Sequence, residues 1–164
     1  MILAIDPGNE QSAFVIMDEG FNIQFFGKVE NGKMLKIIDD YRSNGYKRVV
    51  IEMVASYGMA VGREVFETCV WIGRFMERAI FMGCTAELLY RLEEKLTICQ
   101  DSKAKDSNIR RALIDRFAKH DLRSGRGTKK NPDFFYGFSA DMWAAFAVGY
   151  TYIMREEEGF NAIE

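Results

Sequence analysis

The 164-residue sequence contains three cysteines and one histidine, which is too few for the common soft-metal sites. A structural zinc site needs about four nitrogen or sulfur ligands, and Cys69, Cys84 and Cys99 lack Cys-x-x-Cys spacing. A zinc finger is therefore nearly excluded. An odd and sparse set of cysteines also favours a reducing compartment, most simply the cytoplasm.

Long apolar runs are missing as well. No run approaches the ~20 residues needed to span a bilayer, and the N-terminus lacks the layout of a signal peptide. We therefore expect no membrane partner. The length, the hydrophobic content of 48% and the absence of a repeat or linker predict a single domain over residues 1–164.

The net charge of −2 is unevenly distributed along the chain. The stretch from Lys95 to Lys130 contains eleven Lys or Arg and four Asp, about +7, whereas the remainder carries about −9. This asymmetry suggests a surface that binds a polyanion, with a solvated helix and a floppy basic loop as the alternative. The Gly- and Lys-rich connection Arg123–Asp133 has no periodic pattern and is predicted to be mobile.

Alternating apolar and turn-forming segments predict an α/β fold, in which a five-stranded mixed sheet is flanked by helices. The first three strands have short links and predict an antiparallel meander. The predicted strands are Met1–Ile5, Gln11–Met17, Asn22–Glu30, Arg48–Met53 and Thr85–Tyr90. The predicted helices run from Asn31 to about Asn44, over Gly62–Met82, from Asp106 or Ser107, and from about Ser139.

The long helix Gly62–Met82 carries two apolar stripes. A helix that is apolar on two sides covers either another element or a partner subunit with its second side. The stripe predicted to face the core consists of Val65, Cys69, Ile72, Met76 and Ile80. The second stripe consists of Trp71, Phe75 and Met82.

Three acidic residues occupy unusual positions. Asp6 ends the first strand at a Pro-Gly turn, Glu52 interrupts an apolar strand, and Asp141 lies at the start of the last helix. As alternatives, Asp6 could set its turn, Glu52 could pair with a buried Arg or Lys, and Asp141 could favour its helix terminus. Strands one and four can be neighbours, so the carboxylates can converge. Such a site needs a hard cation, and oxygen ligands alone indicate Mg²⁺ or Mn²⁺.

Three segments in order along the chain carry a resemblance to a known family: IDPGNEQSAFVIMD, VVIEMV and FSADMWAAFAVGYTY. They resemble the RuvC-type Holliday junction resolvases, which are nucleases of the ribonuclease H-like fold. The segments KAKDSNIRRALIDRF and NPDFFYGFSADMW look most similar to the phage-encoded branch, which works inside a bacterial host cell. The resemblance covers nearly the whole chain and implies a homodimeric, Mg²⁺-dependent endonuclease that cuts four-way junctions and other branched DNA.

The resemblance also implies roles for individual residues. Asp6, Glu52 and Asp141 match the family's carboxylates and would bind two Mg²⁺ ions, with Mn²⁺ as an alternative. Lys95 and Lys105 match basic positions near the scissile phosphate and would stabilise its charge. The remaining basic residues of the segment would follow the DNA backbone, and the candidates are Lys103, Arg110, Arg111, Arg123, Arg126, Lys129 and Lys130.

Two positions depart from the family pattern. A further acidic or histidine ligand lies three residues before the last aspartate in bacterial relatives, and Phe138 occupies that position here. Asp133 is a candidate substitute, followed by Glu93 and Asp106. The junction-wedging aromatic is also displaced, with Tyr57 as its substitute and core packing as the alternative role of Tyr57.

Three other functions remain open from the sequence. The first is a YqgF-like nuclease of the same fold that acts on RNA. The second, an actin-like nucleotide-binding protein, is disfavoured because the chain has no internal repeat. The third is a DNA-structure-binding protein with a defunct site, which the departure at Phe138 supports and the three acids oppose.

Overall fold

The structure is a computed structural model that describes residues 1–40, 45–56, 58 and 60–161. Its five strands are β1 (Ile2–Asp6), β2 (Gln11–Met17), β3 (Ile23–Glu30), β4 (Arg48–Met53) and β5 (Thr85–Tyr90). They form one sheet in the order β3-β2-β1-β4-β5. The first three strands are antiparallel neighbours, whereas β1, β4 and β5 run parallel. The predicted meander and mixed sheet are therefore confirmed.

Five helices flank the sheet in the described part of the chain: α1 (Asn31–Asp39), α2 (Arg63–Phe81), α3 (Arg91–Cys99), α4 (Asp106–Phe117) and α5 (Ala140–Asn161). The first helix ends before the predicted end at Asn44, which lies outside the described residues. The sequence pattern does not predict α3. No helix among the described residues has the length and apolarity to cross a membrane.

The central strand β1 is buried on both faces, which explains its unbroken apolar sequence. Ala4 and its neighbours on one face pack against α5. Leu3 and Ile5 point to the other face, where the core also contains residues of α1 and α2. Two apolar layers therefore hold the sheet between them and fix the position of its strand ends.

Gly149 lets α5 lie close to the sheet. A Cβ atom at this position would lie 3.0 Å from Cβ of Ala4 and would also collide with the side chain of Met17. The absence of a side chain therefore sets the distance between the helix and the central strands. This close approach brings the start of α5 to the carboxyl end of β1.

The core-facing stripe predicted for α2 is only partly correct: Ile72 lies in the core and Met76 packs against it, but Ile80 is exposed. The buried residues of this helix are Thr68, Ile72, Phe75 and Ala79, so the buried face is rotated from the predicted one. Ile80 is 59% exposed, and Phe75 of the predicted second stripe lies in the core. The exposed large apolar residues of α2 are Phe66, Val70, Ile80 and Phe81, and we call them the α2 apolar face.

The basic connection Arg123–Asp133 has a defined conformation held by hydrogen bonds, although its sequence has no periodic pattern. Asp133 is buried and its carboxylate accepts four backbone N–H groups at 2.6–2.9 Å. At the other end, the Asp121 carboxylate accepts the N–H groups of Ser124 and Gly127. A single bridge between Gly127 and Pro132 closes the loop. Long-range hydrogen bonds therefore supply the order that local sequence does not suggest.

Candidate active site

Two acidic side chains meet at the carboxyl ends of adjacent parallel strands. Asp6 is the last residue of β1, and Glu52 is the second-to-last residue of β4. Ile5 is paired with Ile51 in the parallel register, so Asp6 and Glu52 follow as lateral neighbours. Their side chains share the sheet face that α5 covers, because side-chain direction alternates along a strand.

Asp141 approaches the same place from the first turn of α5. A cleft of about 540 Å³ opens here, and we call it the acidic cleft. The structure thus brings Asp6, Glu52 and Asp141 to the wall of one cleft. Its charged lining residues are Asp6, Glu52, Arg91, Asp106, Arg110 and Asp141.

The carboxyl groups at the floor of the cleft lie close together, and burial opposes their ionisation. Burial, and then the charges of Glu52 and Asp141, raise the pKa of Asp6 to about 8. Burial likewise raises the pKa of Glu52, although the charge of Arg91 opposes this shift. Each acid is therefore harder to ionise than an isolated carboxyl group, and added positive charge would favour ionisation.

Arg91, the first residue of α3, supplies part of that positive charge. Its guanidinium lies 2.5 Å from Glu94 and 2.6 Å from Asp106, but 3.9 Å from Glu52. The alternative that Glu52 pairs with a buried Arg or Lys is therefore only partly correct, because Arg91 lies near Glu52 but is closer to Glu94 and Asp106. Arg91 divides one positive charge among three acids, which leaves the cleft acidic.

Glu94 is a buried fourth acid that the sequence pattern does not reveal. Its side chain is fully buried, and burial followed by the charge of Glu52 raises its pKa to about 9. Its Oε1 atom has no hydrogen-bond partner among the described residues. The sequence signal that could have revealed this helix, and with it Glu94, is Glu93. Its carboxylate accepts the Tyr90 N–H, which is typical of a helix start.

The donor chemistry of the cleft fits Mg²⁺ or Mn²⁺, because every donor is a carboxylate oxygen and the acids have raised pKa values. Within the described residues, however, no group of three or more His, Cys, Asp or Glu side chains is arranged to hold a metal ion. Metal binding by Asp6, Glu52 and Asp141 therefore requires these side chains to rearrange.

Asp133 cannot replace the ligand missing at Phe138, so this candidate substitution is wrong. Burial favours the neutral form of Asp133, but its backbone N–H donors outweigh burial and hold its pKa below the usual range. Its oxygens are thus committed to the loop. Phe138 itself is buried and packs on Phe26 at 4.8 Å between ring centroids. Of the other candidates, Asp106 lines the cleft, whereas Glu93 pairs with Arg155.

Lys28 is a site residue that the sequence does not suggest. Its Nζ atom lies 2.5 Å from Oδ2 of Asp141, and both side chains are less than half exposed, at 41% and 43%. The pair joins the edge strand β3 to the start of α5.

Of the described basic residues predicted to bind DNA, Arg110 lines the acidic cleft and the others do not. Arg110 lines the cleft and lies over the ring of Trp143, with 4.7 Å between the guanidinium carbon and the ring centroid. Arg111 pairs with Asp115 on the surface of α4. Tyr57 lies outside the described residues. Lys95 is half-buried and does not line the cleft. The remaining predicted basic residues are exposed, and they are Lys103, Lys105, Arg123, Arg126, Lys129 and Lys130.

No protein-family model matches the sequence, and a comparison with curated proteins finds no match. Solved structures of similar fold do exist. Thermus thermophilus RuvC superposes with a TM-score of 0.70 at 12% sequence identity, covering 96% of this chain and 96% of that chain. T. thermophilus RuvC in complex with Holliday junction substrate superposes with a TM-score of 0.72 at 10% identity, covering 96% of this chain and 95% of the other. The chain therefore has the RuvC-like, ribonuclease H-like fold that its sequence motifs predict.

Proposed function

We propose that this chain is a metal-dependent DNA endonuclease that hydrolyses phosphodiesters in four-way junctions and other branched DNA. The observation that carries the proposal is the acidic cleft, in which Asp6 and Glu52 lie at strand ends of a RuvC-like sheet and Asp141 lies in the first turn of α5. The similar T. thermophilus protein has been solved with a Holliday junction substrate, which supports the choice of DNA.

In this proposal, Asp6, Glu52 and Asp141 would hold two Mg²⁺ ions, or Mn²⁺ in their place. The chemistry supplied by such ions would be activation of a water molecule for attack and stabilisation of the leaving oxygen. Arg91 balances the acids around them and keeps Glu52 from carrying an unopposed buried charge. Lys95 and Lys105 lie outside the cleft lining, and their proposed role is to contact the DNA next to the scissile phosphate.

The proposed DNA-binding surface is the basic segment around the cleft. Arg110 is at the cleft itself, and Arg111 lies further along the same helix. Phosphate contacts of this kind give affinity without reading sequence, so shape determines the choice of substrate. The exposed residues proposed to contact phosphates are Lys103, Arg123, Arg126, Lys129 and Lys130.

We also propose that the chain forms a homodimer through the α2 apolar face. Phe66, Val70 and Phe81 are each more than 60% exposed, and large apolar side chains grouped on one helix favour association. Two copies related by a two-fold axis would present two acidic clefts, which suits paired cuts on two strands.

The direct test is incubation of the protein and Mg²⁺ with labelled four-way junction, Y-fork, duplex and RNA–DNA hybrid. Paired symmetric nicks in the junction, lost when EDTA is added, support the proposal. Degradation of the hybrid in preference to the junction would instead support a nuclease that acts on RNA. The Asp6→Asn variant is the matched control for contaminating nucleases.

A second candidate is a protein that binds branched DNA without cutting it. The buried Phe138 favours this candidate, because it removes a ligand position of the resembled family. Tight junction binding with no cleavage at any Mg²⁺ or Mn²⁺ concentration would support it over the endonuclease.

A further inference from the structure

Lys28 lies in line with the catalytic candidate Asp6 across three strands. Asp6 is paired with Ala13 of β2, and Ala13 is paired with Lys28 of β3. Laterally paired residues project from the same face of a sheet, so the lysine and the aspartate share the face of the cleft. The residue between them is an alanine, which leaves room above it for the long lysine side chain.

Packing near Lys28 holds strand β3 close to the start of α5. Two residues earlier on β3, Phe26 packs on Phe138, which precedes α5. The adjacent Gly137 has a φ of +86°, and a Cβ atom there would approach the Phe26 ring to 3.1 Å. Close packing of β3 against the start of α5 therefore brings Lys28 to Asp141.

The ammonium group of Lys28 has unused donors. Asp141 is its single hydrogen-bond partner among the described residues, and an ammonium group carries three N–H bonds. The side chain is 41% exposed, so the other donors can reach a ligand at the rim of the cleft. Two other cations line the cleft: Arg91, whose guanidinium is already engaged by Glu94 and Asp106, and Arg110, whose guanidinium lies over the ring of Trp143.

In the absence of bound metal, a phosphodiester that approaches Asp6 and Glu52 meets repulsion when these acids are ionised, and a nearby cation with free donors offsets that repulsion. We infer that Lys28 binds a backbone phosphate of the DNA at the rim of the acidic cleft, next to Asp141. This inference rests on the proposed function, since it assigns one more substrate contact to the same cleft.

The experiment measures junction affinity in EDTA over a range of salt concentrations, so that cleavage does not interfere. Lys28→Met is made both in the wild-type chain and in Asp141→Asn. Lys47→Met is the matched control, because Lys47 is an exposed lysine that directly precedes β4, at the end of the strand opposite Glu52.

Removing one lysine that neutralises a phosphate lowers the slope of log affinity against log salt by about 0.9. We expect this decrease, with affinity about threefold to tenfold weaker near 0.1 M salt, for Lys28→Met in both backgrounds. Lys47→Met should change neither quantity, and Lys28→Arg should keep the wild-type slope. Circular dichroism spectra and melting temperatures establish that each variant is folded.

Two results overturn the inference while leaving the proposed function intact. One is wild-type binding with an effect of Lys28→Met no larger than that of Lys47→Met. The other is an effect seen in the wild-type background but absent in Asp141→Asn, because Lys28 would then only neutralise Asp141. Failure of the wild-type chain to bind any branched DNA overturns the proposed function itself, together with the inference.

Discussion

Nη1 of Arg91 lies 2.5 Å from Oε2 of Glu94, and the Glu94 side chain is fully buried behind the acidic cleft. The two residues are separated by one turn of α3, so the helix itself fixes their distance. Arg91 also reaches Asp106 of α4 and lies within 3.9 Å of Glu52 on β4. One guanidinium therefore links three elements that form the wall of the cleft.

Replacing Arg91 with Met should destabilise the protein strongly. Without Arg91, the buried Glu94 loses its hydrogen-bond donor, and above its pKa of about 9 it carries a buried charge with no counter-ion, so we expect the free energy of unfolding there to fall by about 3 kcal/mol. Urea unfolding at a pH above 9 measures the change. Adding Glu94→Leu should recover most of it, because the buried charge is then absent. A destabilisation no greater than that of Arg63→Met, a control in an exposed pair on α2, would contradict the prediction.

Asp6→Asn and Glu52→Gln should each reduce junction cleavage below about 1% of wild type, because metal ligands are removed. Junction affinity in EDTA should remain, since neither residue is basic. Asp6→Asn should also raise the melting temperature at pH 9, where the wild-type carboxylate is charged although burial disfavours its ionisation. The control is Glu19→Gln, at an exposed position that pairs with Arg48. Full cleavage by both cleft variants would disprove the assignment.

Metal affinity should rise with pH up to about 8. The pKa of Asp6 is raised to about 8, so this acid holds a proton below that pH and must release it before it can bind a cation. Each pH unit should therefore strengthen Mn²⁺ binding by up to about tenfold, and the rise should level off above pH 8. Titration calorimetry without DNA measures the affinity. The Asp6→Asn variant should bind weakly and with a flatter pH dependence, and a flat profile for the wild type would argue against a role for Asp6.

Neutralising Arg126, Lys129 and Lys130 together with Gln should weaken junction binding and flatten its salt dependence. The slope should fall by about 0.9 for each phosphate that the loop no longer neutralises. Fluorescence anisotropy in EDTA at several salt concentrations gives the slope. A triple variant at Lys33, Lys36 and Lys47, which lie outside the basic segment, controls for net charge. Equal slopes for the two triple variants would exclude the loop from the DNA interface.

Phe66→Glu combined with Phe81→Glu should convert a wild-type dimer into a monomer, because buried charge opposes association across an apolar interface. Sedimentation velocity over a range of concentrations measures the state. Leu122→Glu, which changes an exposed apolar residue away from α2, should leave the dimer unchanged. A wild-type chain that remains monomeric at high concentration would contradict the proposal.

The strands and the cleft acids could be predicted because their signals are local. Asp6 and Glu52 interrupt or end apolar strands, and strand topology then makes them neighbours. The element α3 escaped prediction because two of its apolar residues, Leu92 and Leu96, are exposed, so the helix lacks a clean buried stripe. The cleft residues Arg91 and Glu94 were missed with it.

Long-range contacts explain the remaining differences. Lys28 is a lysine on an edge strand, a position that usually has no specific role, and only its proximity to Asp141 distinguishes it. The order of the basic loop depends on Asp133, which accepts N–H groups from residues up to 14 positions away. Such long-range contacts produce no periodic pattern in the sequence.

The hydrogen bonds of Asp121 and Asp133 have a kinetic consequence for the proposed substrate. Since hydrogen bonds already define the conformation of the basic loop, DNA binding should not require a separate step in which the loop folds. Encounter between the two molecules should then be limited by diffusion and electrostatic attraction, and association should be fast at low salt and slow steeply as salt increases. By holding the loop backbone in place, Asp121 and Asp133 would in this way influence the association rate constant for DNA.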